Sequence, residues 1–309
     1  MKRVAVFFSA FFLTLNLLAQ KSEVVYNNPK DTNTNYFIAY KPSIEPTGLL
    51  LLLTSFGETP KNAANETTIQ TVAAKNGLIT VFASLQYGTQ TFFIDSLSQF
   101  NLDALIPTIQ KKYNLTDKPL YLGGFSLGGS GIIKYAERAY SSKTLVKPKA
   151  IFAIDAPIDF EKMYYSLEYA AKYSTVNIAK MEADYFIKRL QYEFQSTPYI
   201  DKTPFHIISP YSFSDTIQTN IQPLKDCPIL LISEPDIIWQ MEERNRSMYD
   251  LNTLDASMVI NALRLMGNKK AKLVLTNNKG YRKLTGRKNP HSWSIADAEE
   301  TVSWLINFK

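Results

Sequence analysis

The sequence predicts an α/β fold, doubly wound around a mostly parallel sheet of about eight strands. Apolar runs at residues 48–54 and 78–83 lack the alternation of a strand with one wet face, as expected of strands buried between two helix layers. Segments with a helical spacing of apolar residues separate such runs. This alternation favours a parallel sheet, because parallel strands need a long crossover connection.

The first half of the chain shows these elements in order. Two β segments at residues 23–26 and 36–40 flank a polar turn rich in Asn, Asp and Thr. A helix is predicted from Pro60 towards Asn76, because proline suits the first helical position and Gly77 can end the helix.

The remaining elements follow the same rules. Residues 93–113 have helical spacing, with Pro107 as a kink or a restart. A capping box of Ser294 and Asp297 predicts that the last helix begins near Ser294. The other predicted strands are 120–125, 150–154, 229–233 and 272–276, and a further helix covers 255–266.

One segment, about 159–225, breaks the alternation. It is helical in texture, almost free of strand signal and rich in Tyr and Phe. Because it falls between two strands, we predict a helical cap inserted over the end of the sheet, within one domain that spans residues 20–309.

Residues 1–19 have the pattern of a secretory signal peptide. Lys2 and Arg3 precede an apolar run at residues 4–18, and Ala19 marks the expected cleavage site. An uncleaved N-terminal anchor is the alternative. We therefore expect a secreted or periplasmic protein without stable membrane insertion after cleavage.

Composition excludes other classes. The formal net charge of +6 falls to +4 without the two leader cations, which is too small to indicate nucleic-acid binding. Cys227 is the only cysteine, so no intramolecular disulfide can form.

The chain has a chemically informative motif at residues 124–128, Gly-Phe-Ser-Leu-Gly. A G-x-S-x-G between a strand and a helix is the pattern of a nucleophile elbow, a sharp turn that exposes the serine hydroxyl. The motif predicts Ser126 as a nucleophile. A serine hydroxyl also needs a base and a carboxylate that orients the base.

On these features the chain resembles the α/β-hydrolase superfamily, over nearly all of its length after the leader. The shared features are the succession of strands along the chain, the elbow, a long insertion after the sixth strand, an acid after the seventh and a histidine after the eighth. The resemblance implies the order Ser, Asp or Glu, His. It also implies hydrolysis of an ester, thioester or amide through an acyl-serine, with no metal or organic cofactor. Ser126 disfavours dehalogenase and epoxide-hydrolase chemistry, whose enzymes carry aspartate there.

The chain has two histidines, which narrows the choice of base. His291 lies in a loop before the terminal helix, where the resemblance places the base. His206 lies in the insertion, before any late acid. His291 is the predicted base.

Three carboxylates compete as the acid. Asp236, which follows the predicted strand at 229–233, is the first choice. Glu234 and Asp155 are the alternatives. Pro235 makes the side chains of Glu234 and Asp236 diverge, so only one of them is expected to reach His291.

The oxyanion hole implied by the resemblance uses two backbone N–H groups. One belongs to Leu127, directly after the nucleophile. The other maps to Phe56 or Gly57, in a Ser-Phe-Gly turn that departs from the common His-Gly pattern.

Two features bear on the substrate, each with a simpler structural explanation. Aromatic residues of the insertion can line a pocket for an aromatic acyl group or a sugar, or simply pack the cap onto the core. A cationic loop before His291 can bind a substrate carboxylate, or can be an ordinary solvated loop. The aromatic residues are Tyr164, Tyr165, Tyr169, Tyr173, Tyr185, Phe186, Tyr192, Phe194 and Tyr199, and the cations are Lys279, Arg282, Lys283, Arg287 and Lys288.

The sequence thus favours a secreted serine hydrolase that cleaves a carboxylic ester, with a small-molecule or carbohydrate ester as substrate. A serine peptidase of the same fold is one alternative. A binding protein with little catalysis is another, and the atypical turn at residues 55–57 is its only support. The oligomeric state is not indicated.

Overall fold

The computed structural model describes residues 20–308, so the predicted signal peptide of residues 1–19 lies outside the described part of the chain. The strands are β1 (Ser22–Tyr26), β2 (Tyr36–Tyr40), β3 (Gly48–Leu53), β4 (Leu78–Ser84), β5 (Leu120–Phe125), β6 (Ala150–Ile154), β7 (Ile229–Ser233) and β8 (Ala271–Leu275). The helices are α1 (Pro60–Glu66), α2 (Ile69–Lys75), α3 (Ser96–Lys112), α4 (Leu127–Ser141), α5 (Phe160–Tyr173), α6 (Asn177–Phe194), α7 (Thr203–Ile208), α8 (Ile237–Arg244), α9 (Asn252–Leu265) and α10 (Ala298–Ile306).

All eight strands form one sheet, in the order β1-β2-β4-β3-β5-β6-β7-β8. β2 pairs antiparallel with both β1 and β4, and the remaining pairs are parallel. This confirms the predicted fold class. Because the parallel strands end at one edge of the sheet, the loops after β3, β5, β6 and β7 meet there, as they do in other open α/β sheets.

The leucine run of β3 shows why the sheet is covered on both faces. Leu49, Leu51 and Leu53 belong to the hydrophobic core on one face of the sheet, and Leu50 and Leu52 to the core on the other. All five side chains are fully buried. A strand that loses solvent on both faces gains hydrophobic stabilisation from every residue, which explains the absence of alternation.

Some helix boundaries differ from those predicted. The helix expected from Pro60 to Asn76 is two helices, because the Gln70 amide donates to the Ala64 carbonyl at 2.8 Å and satisfies the end of α1. The last helix begins at Ala298, with Asp297 as its N-cap. Helix α3 runs through Pro107 without a restart. No helix among residues 20–308 is long and apolar enough to cross a membrane.

Helices α5, α6 and α7 occupy the segment between β6 and β7 that the sequence marks as an insertion. Asp159 fixes its start. Its carboxylate accepts from the backbone N–H of Lys162 at 3.0 Å, which caps α5, and from that of Phe213 at 2.9 Å. Burial raises the pKa of Asp159 to about 6, and these two hydrogen bonds oppose the rise.

This raised pKa predicts a pH dependence of stability. An unfolded aspartate titrates near pH 4, so the folded protein binds the extra proton between about pH 4 and pH 6. The contribution of Asp159 to stability is complete below pH 4 and is lost as the pH rises through about 6. Between pH 4 and pH 6, the free energy of unfolding of the wild type should fall by about 3 kcal/mol more than that of Asp159→Asn. Urea unfolding at a series of pH values measures it.

Asp297→Asn is the matched control, because Asp297 is also a helix N-cap but is exposed. A wild-type decline between pH 4 and pH 6 that persists in Asp159→Asn and vanishes in Asp297→Asn would contradict the assignment to Asp159.

Candidate active site

Ser126 lies at the corner between β5 and α4 with φ 54° and ψ −128°, a strained backbone conformation for a residue other than glycine. Its N–H donates to the carbonyl of Ile154 at 2.9 Å, which ties the corner to β6. A Cβ at Gly128 would lie 2.3 Å from the Thr54 carbonyl oxygen, and one at Gly124 would lie 2.4 Å from the Gly128 carbonyl carbon. Both glycines of the motif are therefore required by close backbone contacts.

Gly128→Ala should lower the free energy of unfolding by about 3 kcal/mol, since the added methyl group meets backbone that cannot rotate away. Gly286→Ala is the matched control. Gly286 has φ +67° and open space around its Cα, so alanine there costs only the left-handed conformation, about 1 kcal/mol. Urea unfolding compares the two, and equal losses would show that the elbow is not tightly packed.

The ring of His291 is paired with Asp155. Its Nδ1 donates to Asp155 Oδ2 at 2.6 Å, and the other carboxylate oxygen accepts from the hydroxyl of Ser233 at 2.6 Å. Thr253 joins the same chain through a 2.6 Å contact with Ser233. With Nδ1 protonated, the second ring nitrogen of His291, Nε2, is left as an acceptor.

Three neighbours hold the His291 loop. The N–H of His291 donates to the Asn289 side chain at 3.0 Å, and its carbonyl accepts from the Arg282 guanidinium at 2.9 Å. The ring centroid lies 4.6 Å from that of Phe125, the residue before Ser126. The imidazole is thus packed against the elbow.

The structure does not bring Asp236, the acid preferred from the sequence, to His291. Asp236 forms a 2.6 Å ion pair with Lys288 and caps α8 through the N–H of Trp239. Its backbone is left-handed at φ 30°, which turns its side chain to the start of that helix. The histidine instead contacts Asp155, the alternative at the end of the preceding strand.

Glu234, the other alternative acid, also forms its hydrogen bonds away from His291. Its carboxylate accepts from the hydroxyl of Thr276 at 2.9 Å and from the backbone N–H groups of Lys279 and Gly280, both at 2.9 Å. Glu234 therefore organises the loop that follows β8 and does not orient the base.

The candidate oxyanion hole lies beside Ser126. The N–H groups of Leu127 and Phe56 have no hydrogen-bond partner within residues 20–308, and both residues line the cavity that contains Ser126. The N–H of Gly57 donates to the Thr89 carbonyl at 2.8 Å. Of the two residues left open by the sequence, Phe56 is the one with a free donor, and Gly57 is excluded.

Glu58, which the sequence did not point to, fixes the turn that carries Phe56. It accepts from the N–H of Ser55 at 3.0 Å and from the indole N–H of Trp293 at 3.1 Å. Burial raises the pKa of Glu58, opposed by these hydrogen bonds and by the charge of Arg282. One carboxylate thereby connects the oxyanion turn to the loop of His291.

Ser126, Asp155 and His291 line one cavity of about 350 Å³, roofed by α5, α6 and α8. Among the described residues no direct hydrogen bond joins the Ser126 hydroxyl to the His291 ring. Substrate binding is expected to bring the Ser126 hydroxyl and the His291 ring within hydrogen-bond distance, since catalytic hydrogen bonds often form fully only in the complex. Residues 20–308 contain no cluster of three or more His, Cys, Asp or Glu side chains suited to a metal ion.

The walls of the cavity differ from those suggested by the sequence. Of the aromatic side chains proposed for the pocket, only Tyr169 and Phe186 line it. Tyr164 and Phe194 pack in the hydrophobic core, the simpler of the two interpretations. Of the cationic loop, only Arg282 reaches the cavity.

Two further arginines, Arg244 and Arg246, line the same cavity, and the sequence reasoning missed them. Burial lowers the pKa of Arg244, Glu182 opposes this effect, and the charges of Arg246 and Arg282 add to it. A sequence signal existed, because Arg244 is the last residue of the helix that follows β7 and Arg246 lies two residues beyond it.

His206 is remote from this constellation. It lies on α7, and its Nε2 contacts the hydroxyl of Ser214 at 2.7 Å and the carboxylate of Glu161 at 3.4 Å. It does not line the cavity.

No protein-family model and no curated protein sequence matches the chain. It is similar to solved structures, which include an S-formylglutathione hydrolase from Agrobacterium tumefaciens, with 12% identity, a TM-score of 0.55, and coverage of 94% of this chain and 98% of that one. An esterase from Pyrobaculum calidifontis has 12% identity, a TM-score of 0.57, and coverage of 94% and 86%. A hormone-sensitive lipase from a metagenome library has 11% identity, a TM-score of 0.58, and coverage of 89% and 82%.

Identities this low concern the fold and not the substrate. The strand order, the antiparallel second strand and the strand-to-helix corner at Ser126 agree with that similarity. The protein therefore has the fold of the α/β-hydrolase superfamily, as its sequence predicts.

Proposed function

We propose that the protein is a serine hydrolase that cleaves a carboxylic ester through an acyl-serine intermediate. Ser126 is the nucleophile, His291 the base and Asp155 the acid. The observation that carries the proposal is that the strained Ser126 and the hydrogen-bonded pair of His291 and Asp155 line one cavity.

The reaction follows from these positions. The Ser126 oxygen attacks the ester carbonyl carbon while its proton passes to Nε2 of His291. The N–H groups of Phe56 and Leu127 donate to the oxyanion that forms. Collapse of this intermediate expels the alcohol, which takes the proton from His291. Water gives a proton to the same ring and attacks the acyl-serine carbonyl; the bond to Ser126 then breaks as its oxygen takes that proton back, which releases the acid.

Asp155 supports each step without transferring a proton. Its negative charge holds the His291 tautomer that leaves Nε2 as an acceptor, and stabilises the imidazolium that forms. The hydroxyl of Ser233 fixes the carboxylate from the side opposite the histidine. The orientation of the base is therefore determined by two neighbouring strand ends.

The leader pattern supports secretion as part of the proposal. Two cations followed by an apolar run at residues 4–18 are the features that direct a chain to export. The test is fractionation of cells that express the full chain, with N-terminal sequencing of the exported protein. A first residue near Gln20 supports cleavage, and retention in the cytoplasm with an intact Met1 contradicts it.

A substrate panel tests the reaction. Chains beginning at Gln20 are assayed with p-nitrophenyl esters of two to eight carbons and with peptidyl p-nitroanilides, beside Ser126→Ala as the blank. We expect the esters to be hydrolysed and the anilides to react far more slowly. Cleavage of peptides alone would favour the peptidase, and no turnover by folded protein would favour a binding protein.

A further inference from the structure

The cavity contains a cluster of three guanidinium groups. Arg244 ends α8, Arg246 follows it, and Arg282 belongs to the loop before His291. The nearest carboxylate oxygen belongs to Glu182 of α6, 3.9 Å from Arg244 and 3.5 Å from Arg246. Both distances exceed that of a well-formed charge-assisted hydrogen bond. The Glu182 carboxylate thus forms a long ion pair with each of the two arginines.

Arg282 has no carboxylate within ion-pair distance in the described chain. Its guanidinium donates to the His291 carbonyl and lies 5.9 Å from the centroid of the Phe125 ring. Glu58 is close enough for its pKa to respond to the Arg282 charge, but its oxygens accept from Ser55 and Trp293. The charge of Arg282 is therefore only partly balanced.

The other carboxylates that line the cavity form their hydrogen bonds and ion pairs with groups outside the arginine cluster. Asp155 binds His291 and Ser233, Glu234 binds the loop after β8, Asp250 accepts from Ser247, and Asp255 binds Lys162 and the N–H groups of Ile158 and Asp159. Within the described chain, Glu182 is therefore the one cavity carboxylate within ion-pair distance of the arginine cluster.

Two neutral polar groups beside the cluster also lack partners. The Gln240 side chain is 5% exposed, and its Oε1 makes no hydrogen bond. The buried hydroxyl of Ser166 on α5 makes none either. Both residues line the cavity. Both atoms are fully buried behind the cavity surface, and Gln240 Oε1 can only accept a hydrogen bond, so neither is assigned a contact with a carboxylate ligand.

We propose that this cluster is a binding subsite for a carboxylate of the substrate, so that the protein hydrolyses esters that carry a second, ionised carboxyl group. Arg244, Arg246 and Arg282 bind the carboxylate. The subsite deepens the proposed ester hydrolysis and rests on it for its biological purpose.

A carboxylate fits the cluster for two reasons. A guanidinium presents parallel N–H donors that match a planar carboxylate. The cluster already faces one carboxylate, that of Glu182, at a distance that a better-placed ligand can improve. A purely structural role, in which Glu182 joins α6 to α8, is the alternative that the experiment must separate.

The experiment compares pairs of esters that differ only in charge. Ethyl hydrogen esters of dicarboxylic acids with four to ten carbons are compared with the same compounds bearing a primary amide in place of the free carboxyl group. A second pair, 4-butyryloxybutanoate and its amide, places the charge on the alcohol side. We expect kcat/KM of the best acid to exceed that of its amide by about 10- to 100-fold, as for a buried hydrogen bond to a charged group.

Arginine variants test whether the preference for the acid over the amide depends on the cluster. Arg246→Gln and Arg244→Gln should each lower the acid-to-amide ratio by about 10-fold, with most of the change in KM for the acid. Arg287→Gln is the matched control, since Arg287 is an exposed arginine of the same loop as Arg282 and does not line the cavity. A structural role would lower activity on acid and amide equally and leave the ratio unchanged.

A binding measurement separates the subsite from the chemistry. Calorimetry with Ser126→Ala should show at least about 10-fold tighter binding of the preferred acid than of its amide, and Arg246→Gln should remove this difference. Tighter binding without hydrolysis of any ester would keep the subsite and reject the proposed reaction. Hydrolysis or binding with no preference for the acid in either pair would overturn the subsite.

Discussion

Ser126→Ala and His291→Ala should each lower kcat for a short acyl ester by about 10⁴-fold or more. Without Ser126 no acyl-enzyme can form, and without His291 no group accepts the serine proton. Because the two act in one step, the double variant should be little worse than either single variant. Steady-state kinetics on the three proteins measures both the loss and its lack of additivity.

His206→Ala provides the matched control for the histidine. His206 lies in the insertion, contacts Ser214 and Glu161, and does not line the cavity. Its replacement should leave kcat within about threefold of wild type, as for most substitutions away from a site. A comparable loss in His206→Ala and His291→Ala would remove the base from its proposed role.

Asp155→Asn should lower kcat by about 10³- to 10⁴-fold, the second largest effect expected. The amide can turn its NH₂ group towards His291, which favours the tautomer with a proton on Nε2, where the reaction needs an acceptor. The negative charge that stabilises the imidazolium is lost as well. Kinetics with a p-nitrophenyl ester, on protein shown to be folded by circular dichroism, gives the value.

Asp236→Asn and Glu234→Gln test the choice among the acids. Asp236 pairs with Lys288, so its replacement should change kcat by less than about 10-fold. Glu234→Gln should act mainly on stability, because Glu234 holds the backbone of Lys279 and Gly280. A profound loss in Asp236→Asn with near-normal Asp155→Asn would restore the acid preferred from the sequence.

The acid was the hardest residue to predict for a physical reason. β6 and β7 are adjacent parallel strands, so Asp155 and Asp236 follow strands that end at the same edge of the sheet. Sequence order allows both, and the choice depends on side-chain direction. One local signal was available, because an aspartate directly before a helix is a common N-cap and Asp236 precedes α8.

The elbow was predictable because its determinants are local. The strand, the glycines and the helix around Ser126 are contiguous, and each glycine meets backbone from within the same motif or from the end of β3. The sheet was predictable for a similar reason, since burial on both faces leaves a direct mark on composition. Both features are determined within short segments of chain.

The cavity was not predictable because it depends on distant segments. Arg244 and Glu182 belong to different helices, and Glu58 reaches Trp293 from the other end of the chain. No spacing rule relates residues brought together by a sheet with crossovers. The sequence could not separate the two roles proposed for the aromatic residues of the insertion, because the same types of side chain pack a core and line a pocket.

Covalent labelling with a fluorophosphonate tests the central claim most directly, because only an activated serine reacts with it. Intact-mass analysis should show one adduct per chain, and peptide mapping should place it on Ser126. Heat-denatured protein and the Ser126→Ala variant should remain unlabelled. Folded wild-type protein that takes up no label, or a label on any serine other than Ser126, would contradict the proposed nucleophile.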